Sequence, residues 1–252
     1  MFETTSLVFI ATAVTIDNAY SRCNMKTPLQ RLESVRQRIA TACIAAGRQP
    51  GEVALLAVSK RHSCERISTF HELGLTAFGE NQLQEALAKQ PELADLGLEW
   101  HFIGTVQSNK TRALAEHFQW VQSVDRAKII KRLAAQRPDS AGILNICLEV
   151  NIDDEPQKGG ARADEIIGLA YLTREFANLH LRGLMAIPRL TSVVEEQHHS
   201  FRMVWELFDR LRQAGHDLDT LSMGMSADLE IAIAEGSTMV RIGTDLLGQR
   251  KT

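Results

Sequence analysis

The chain has 252 residues, a formal net charge of -3, 44% hydrophobic residues and 23% charged residues. So even a balance excludes nucleic acid or an anionic membrane surface as the main electrostatic partner, and the composition is that of a globular protein with a sizeable core. The four cysteines, Cys23, Cys43, Cys64 and Cys147, form no CxxC pair and no Cys/His cluster with zinc spacing. No metal site is expected from them, and free thiols in a reducing cytoplasm are.

Leu7 to Val14 is an apolar run too short to span a bilayer, and no basic residue precedes it as in a signal peptide. The helical pattern begins only after Met25. Residues 1–24 therefore read either as an extension upstream of a start at Met25 or as a loosely packed native tail. Residues 28–47 carry Leu29, Leu32, Val35, Ile39, Cys43 and Ala46 on one stripe, the signature of an amphipathic helix, and Gly47 stops it. Val53-Ala54-Leu55-Leu56-Ala57-Val58 then reads as a buried parallel strand. Further strands are expected near 75–79, 98–103, 119–123, 143–150, 180–187, 219–223 and 238–242. The helices between them fall near 64–73, 81–90, 108–117, 126–136, 162–175, 192–214 and 226–235. Eight strands alternating with helices in a chain of this length favour a single closed (β/α)8 barrel, residues 25–252, over an open sheet. No GxGxxG follows the first strand, which counts against a doubly wound alternative. No helix is expected after strand eight, and the helix at 28–47 is the expected cover in its place.

In such a barrel, function collects at the C-terminal strand ends. Those ends carry Lys60, Glu80-Asn81, His101, Ser123, Asn151, Met185, Ser222 to Ser226, and Arg241 to Thr244. By the period-2 rule Lys60 shares a face with Leu56 and Val58 and points into the barrel mouth. Partial desolvation there favours the neutral amine that imine formation with an aldehyde requires. A lysine snorkelling from a strand end to solvent fits the same spacing equally well. Gly224-Met225-Ser226 offers backbone amides and a hydroxyl at the start of the helix after strand seven, and Gly243-Thr244 follows strand eight. Barrels often hold phosphate with these two loops. Ser226 also reads as a plain helix N-cap. Arg241 shares the face of Gly243, where it either reaches a ring attached to such a phosphate or pairs with a structural carboxylate.

Ala57-Val58-Ser59-Lys60, Phe78-Gly79-Glu80-Asn81, Trp100-His101-Phe102-Ile103-Gly104, Gln107-Ser108-Asn109-Lys110, Leu184-Met185, Ser222-Met223-Gly224-Met225-Ser226-Ala227-Asp228 and Val240-Arg241-Ile242-Gly243-Thr244 occur in that order. In this the chain resembles the pyridoxal phosphate homeostasis proteins, whose fold is similar to the barrel domain of alanine racemase. The resemblance runs from about residue 28 to about residue 250. It implies pyridoxal 5'-phosphate, a form of vitamin B6, held as a Schiff base on Lys60. It also implies phosphate contacts from Ser222, Gly224, Ser226, Gly243 and Thr244, with Met225 between them in the same loop. Arg241 would stand near the pyridine nitrogen, keeping it unprotonated because neighbouring positive charges repel. Asn81 and His101 would lie near the ring or its pocket, and Lys158 matches a loop lysine of the family. The chain departs from the family pattern at His62 and Ser63, where a second lysine and a proline are usual. It departs again at Gln82, usually aromatic, and at Asp245-Leu246-Leu247-Gly248, usually ending Ile-Phe-Gly.

His198 and His199 are adjacent on a helix and cannot clamp one metal. Racemisation needs two acid/base groups, and similar racemases take a tyrosine from a second domain. Here the only tyrosines are Tyr20, in the N-terminal extension, and Tyr171, inside a helix. The expected function is therefore a non-catalytic cofactor carrier or buffer in the cytoplasm, with no catalytic residue. A pyridoxal phosphate-dependent amino-acid racemase is the alternative. A Schiff-base sugar aldolase is a third class, and it would show no cofactor chromophore. Partners would be the cofactor, the apo-enzymes that receive it and free amino acids. Neither nucleic acid nor membrane is expected, and the state is expected to be monomeric. Because the periodic pattern starts after Met25, deletion of residues 1–24 is expected to leave folding and cofactor binding intact. Precipitation of the truncated protein, or failure to bind, would show that the segment packs on the barrel.

Overall fold

The structure, a computed structural model, describes residues 26–189 and 191–249. The expectations for residues 1–24 and for a start at Met25 lie outside the described residues. Eight parallel strands close on themselves in sequence order: β1 (Ala54–Val58), β2 (Ala77–Glu80), β3 (Glu99–Phe102), β4 (Trp120–Val124), β5 (Leu144–Val150), β6 (Leu179–Ala186), β7 (Thr220–Ser222) and β8 (Met239–Ile242). The helices are α1 (Pro28–Ala45), α2 (Cys64–Glu72), α3 (Leu83–Lys89), α4 (Thr111–His117), α5 (Ala127–Gln136), α6 (Ala163–Thr173), α7 (Val194–Gln213), α8 (Leu229–Ala234) and α9 (Thr244–Leu247).

Strand alternation sorts the core into two compartments. Outward-facing Ala57, Phe78, Trp100, Phe102, Val121, Ile146, Leu148, Leu184, Leu221, Val240 and Ile242 pack into one large apolar cluster with the helices. Trp120, Cys147 and Met185 form a separate small cluster. Its members come from β4, β5 and β6 on the opposite parity, so they fill the barrel interior. Burial pushes the Cys147 thiol up to about 12, so it is a small inert filler there.

The first helix closes the ring. Thr27 caps α1: its hydroxyl accepts the Gln30 amide at 3.2 Å, and the Gln30 side chain accepts the Thr27 amide at 2.9 Å. Pro28 occupies the first turn, where it loses no helical bond. Two arginines of this N-terminal region then fasten it to the far end of the chain. Arg38 pairs with Glu230 of α8 at 2.7 Å and with Asp245 of α9 at 2.8 Å. Arg48, just past α1, donates to the carbonyls of Ile233 (3.0 Å) and Ser237 (2.8 Å). α1 thus covers the β8–β1 seam, as expected. One difference is that a helix does follow β8, the single turn α9, which shares the cover with α1.

β6 and β7 approach closely at Gly183. A Cβ built there would lie 1.7 Å from the Thr220 carbonyl oxygen and 3.0 Å from the Phe208 ring. Backbone cannot yield as a flexible side chain can. Gly183→Ala is therefore expected to destabilise the barrel by about 3 kcal/mol or more. A urea titration checks this: the midpoint should fall with little change in slope, and an unchanged midpoint would contradict the close approach.

Candidate functional site at the barrel mouth

Lys60 stands two residues beyond the end of β1, half-buried. Strand parity was expected to carry through to it. Instead the chain turns: the His62 amide donates to the Ser59 carbonyl at 3.0 Å, placing Lys60 and Arg61 at the centre of a tight turn. Arg61 has φ +61°, the left-handed region where glycine is at home. For an arginine this costs on the order of 1–2 kcal/mol, so other bonds must hold it. The Arg61 amide donates to the Glu85 carboxylate. On the other side of Lys60, the Ser59 hydroxyl donates to Glu80 at 2.7 Å. Lys89 joins the two sides, donating to the Ser59 carbonyl (3.0 Å), Glu80 (2.8 Å) and Glu85 (2.6 Å). Burial pushes the Glu80 carboxyl up, while Lys89 and Ser59 pull it back.

Across the barrel interior runs a chain of polar groups. Arg241, 4% exposed, donates to the Ser222 hydroxyl at 2.8 Å, to the Ser222 carbonyl at 2.5 Å and to the Ala186 carbonyl at 2.9 Å. The Ser222 hydroxyl donates to Gln122 Oε1 at 2.7 Å. Gln122 Nε2 lies 2.9 Å from His101 Nδ1, and His101 Nε2 lies 2.8 Å from a Glu99 oxygen. Since Gln122 Nε2 is a donor, Nδ1 accepts and the ring proton sits on Nε2, towards Glu99. Burial lowers the His101 pKa against the opposing pull of Glu99, which keeps the ring neutral. The ring also stacks on Trp120, with centroids 4.9 Å apart. Burial pulls Arg241 down to about 10, so it stays protonated near neutrality.

The two expected anion loops lie side by side. The Arg241 amide donates to the Gly224 carbonyl at 3.0 Å, and a Cβ built on Gly243 would lie 3.6 Å from the Val58 carbonyl oxygen. Arg38 bridges the loops, reaching the Ser226 carbonyl and the Asp245 carboxylate, each at 2.8 Å. The amides of Ser226, Ala227, Thr244 and Asp245 meet no protein acceptor among the described residues, and Ala227, Thr244 and Asp245 are exposed residues. Gly224 has φ +95°, and a Cβ there would lie 2.6 Å from that of Ala232. The helix expected from residue 226 begins at Leu229, so Ser226 is not its N-cap. Asp228 holds that position and accepts the Met225 amide at 2.6 Å instead, closing the loop in front of the helix.

The mouth thus brings together Lys60, Gly224, Met225, Ser226, Arg241, Gly243 and Thr244. Asn81 joins them at the end of β2, packed so tightly under β3 that a Cβ on Gly104 would lie 2.2 Å from its carbonyl oxygen. His101 and Ser222 lie deeper, with no exposed surface. Lys158 donates to the carbonyls of Ile187 (3.2 Å) and Pro188 (3.0 Å), fastening one loop to the next. Gln122, Lys89, Glu85 and Glu149 were not anticipated. Gln122 was within reach, because it shares the inward parity of Trp120. Glu149 has the inward parity of Cys147. Burial and the nearby Asp125 carboxylate push it up to about 7, against the pull of Arg241. Among the described residues no group of His, Cys, Asp and Glu could hold a metal ion.

Glu149 makes stability depend on pH in a defined direction. Its folded pKa lies above the ordinary 4.5, so between 4.5 and about 7 the folded state binds the extra proton. That contribution is fully present below pH 4.5 and is lost as pH rises through about 7. Glu149→Gln, which cannot ionise, is expected to lose less stability over that window, as measured by urea unfolding at closely spaced pH values. Parallel profiles would show that Glu149 ionises normally.

Residues 31–251 match the family described as the alanine racemase N-terminal domain. The chain is 53% identical over 226 residues to the pyridoxal phosphate homeostasis protein of Pseudomonas aeruginosa, covering 90% of this chain and 97% of that one. It is 46% identical over 222 residues to the protein of that name in Escherichia coli K12, covering 87% and 95%. PipY of Synechococcus elongatus, solved with pyridoxal phosphate bound, superposes with a TM-score of 0.77 at 35% identity, over 88% of this chain and 100% of that one. Alanine racemase of Corynebacterium glutamicum, at 17% identity and a TM-score of 0.61 over 88% of this chain and 62% of its own, shares the fold alone. The chain belongs to the family of pyridoxal phosphate homeostasis proteins, built on the barrel of the alanine racemase N-terminal domain.

Proposed function

We propose that this protein binds pyridoxal 5'-phosphate as a Schiff base on Lys60 and serves as a carrier or buffer of the cofactor inside the cell. The observation that carries this reading is the convergence of a half-buried lysine with two adjoining loops that hold amides without a protein acceptor among the described residues. The residues present fit the group. The Asn81 side-chain oxygen is buried and meets no donor among the described residues, which suits a ligand hydroxyl. Gly224, Met225, Ser226, Gly243 and Thr244 would hold the phosphate. A cleft lined by Arg31, Arg61 and Arg66 beside the Lys60 turn would draw the dianion in. Arg241 would face the pyridine nitrogen, with Ser222 and His101 supporting it from below. When bound, the cofactor supplies an electron sink for chemistry at an amino acid's Cα. A cation facing the ring nitrogen weakens that sink, which favours storage over turnover.

The relatives of this chain are named for homeostasis of the cofactor. The reading extends that name to a protein without robust turnover. It works in the cytoplasm as a monomer on the barrel of residues 25–252, and exchanges cofactor with apo-enzymes and free amino acids rather than with nucleic acid or lipid. Among the described residues no helix is long and apolar enough to cross a membrane. A racemase is the competing reading, and Tyr171 does not supply its second acid/base group, since it lies on α6 with its ring against His216.

The purified protein incubated with the cofactor is expected to absorb near ~420 nm, as a conjugated imine does. Borohydride should abolish the band and fix the cofactor to Lys60, and Lys60→Ala should lose it. A protein that stays colourless refutes the reading. Alanine racemisation at roughly 1 s⁻¹ or faster would replace the carrier with an enzyme.

A further inference from the structure

We propose that Lys89, acting through the carboxylates of Glu80 and Glu85, is a positioning residue for Lys60. In this view the three side chains hold the Lys60 turn in the shape from which the lysine amine meets an aldehyde. The inference rests on the Schiff-base reading of Lys60 and adds to it residues that lie outside the phosphate loops.

The contacts bracket Lys60. One residue before it, Ser59 is bound through both its carbonyl, by Lys89, and its hydroxyl, by Glu80. One residue after it, the Arg61 amide is held by Glu85. Lys89 then bonds both carboxylates. The arrangement is buried: the side chain of Glu80 is 0% exposed and that of Lys89 9%. An ammonium and a carboxylate withdrawn from water to this extent are held only by close mutual contact. What they hold is a turn that its own sequence does not favour. A positive φ at the residue after the turn's second position belongs to glycine, and here it is Arg61. An unfavoured backbone conformation beside a reactive group, maintained by bonds from a separate helix and strand, is what a geometric requirement on that group produces. An apolar α3 would have anchored the helix equally well, but it would have left the Arg61 amide without its acceptor and Glu80 without its cation.

The test separates positioning from general support of the fold. Glu85 is the milder site, with 22% of its side chain exposed, and Lys89→Met is the more severe change. In Glu85→Ala the Arg61 amide, followed by hydrogen exchange in the cofactor-free protein, is expected to exchange at least about tenfold faster, as befits loss of a bond to a charged group. The rate of imine formation with pyridoxal phosphate, followed by absorbance and by borohydride trapping, should fall by a similar factor. Circular dichroism should be unchanged. The second substitution is the decisive one. Arg61→Gly makes the positive φ free of steric cost, so the turn no longer needs the clamp. Because Arg61 also lines the cationic cleft, the double variant is compared with Arg61→Gly alone, and in that background Glu85→Ala should cost little of the rate. A variant damaged only in its packing would lose the same factor in both backgrounds. An unchanged Arg61 exchange rate in Glu85→Ala, or an equal loss of rate in the two backgrounds, overturns the proposal, whatever becomes of Lys89→Met. Lys60→Ala run alongside reports on the reading beneath it: if borohydride still fixes the cofactor, the lysine assignment is wrong, while the exchange measurement still decides whether the clamp holds the turn.

Discussion

A guanidinium lies at the heart of this barrel with almost no access to water, and much of the interior is arranged to tolerate it. Arg241 cannot shed its proton near neutrality, so its donors must find oxygens. They find them on β6 and β7, in the Ala186 carbonyl and in the carbonyl and hydroxyl of Ser222. Satisfying Arg241 fixes Ser222, whose hydroxyl proton then has one direction to point. That orients Gln122, which sets the tautomer of His101, and the sequence of donors ends on the Glu99 carboxylate. Every bond runs the same way, from a cation near the mouth to an anion near the floor. Such networks are worth having only when complete, since each member left unpaired in a dry interior costs about 1–3 kcal/mol.

The same constraint shapes the mouth. The backbone of Arg241 reaches the Gly224 loop, and the strand it sits on delivers Gly243 against Val58, two residues from Lys60. The deep layer and the working rim are therefore one construction. His101 and Ser222, which resemblance placed near the cofactor, belong to the hydrogen-bonded network that begins at Arg241.

Much of the architecture was legible beforehand, because period-2 apolar runs and the punctuation between them report backbone geometry directly. The strands fell within two residues of their expected ends, and the role of α1 followed from simple counting. Legibility failed where tertiary bonds overrule local pattern. Extending β1 places Lys60 on the strand face, but the chain turns there, with Glu80, Glu85 and Lys89 bonded to the residues on either side. Glu85 and Lys89 look like an ordinary solvent-facing i, i+4 pair. Ser226 looked like a helix cap because Asp228 and Ser226 are both good caps, and the bond from the Met225 amide decided the matter. A side chain's burial cannot be read from its identity, and these contacts depend on burial.

The α1 helix has a further implication for how the molecule comes into being. Its Arg38 is synthesised 192 residues before Glu230 and 207 before Asp245, the partners that seat it. At roughly 5–20 residues per second, on the order of ten seconds or more separates the helix from its seat. Throughout that interval the edge of β1 that will face β8 has no strand to pair with, and the apolar stripe of Leu32, Val35 and Ile39 has no surface to cover. An unpaired strand edge invites intermolecular pairing. The nascent barrel thus carries an unpaired β1 edge throughout, and the ring closes only when β8 arrives.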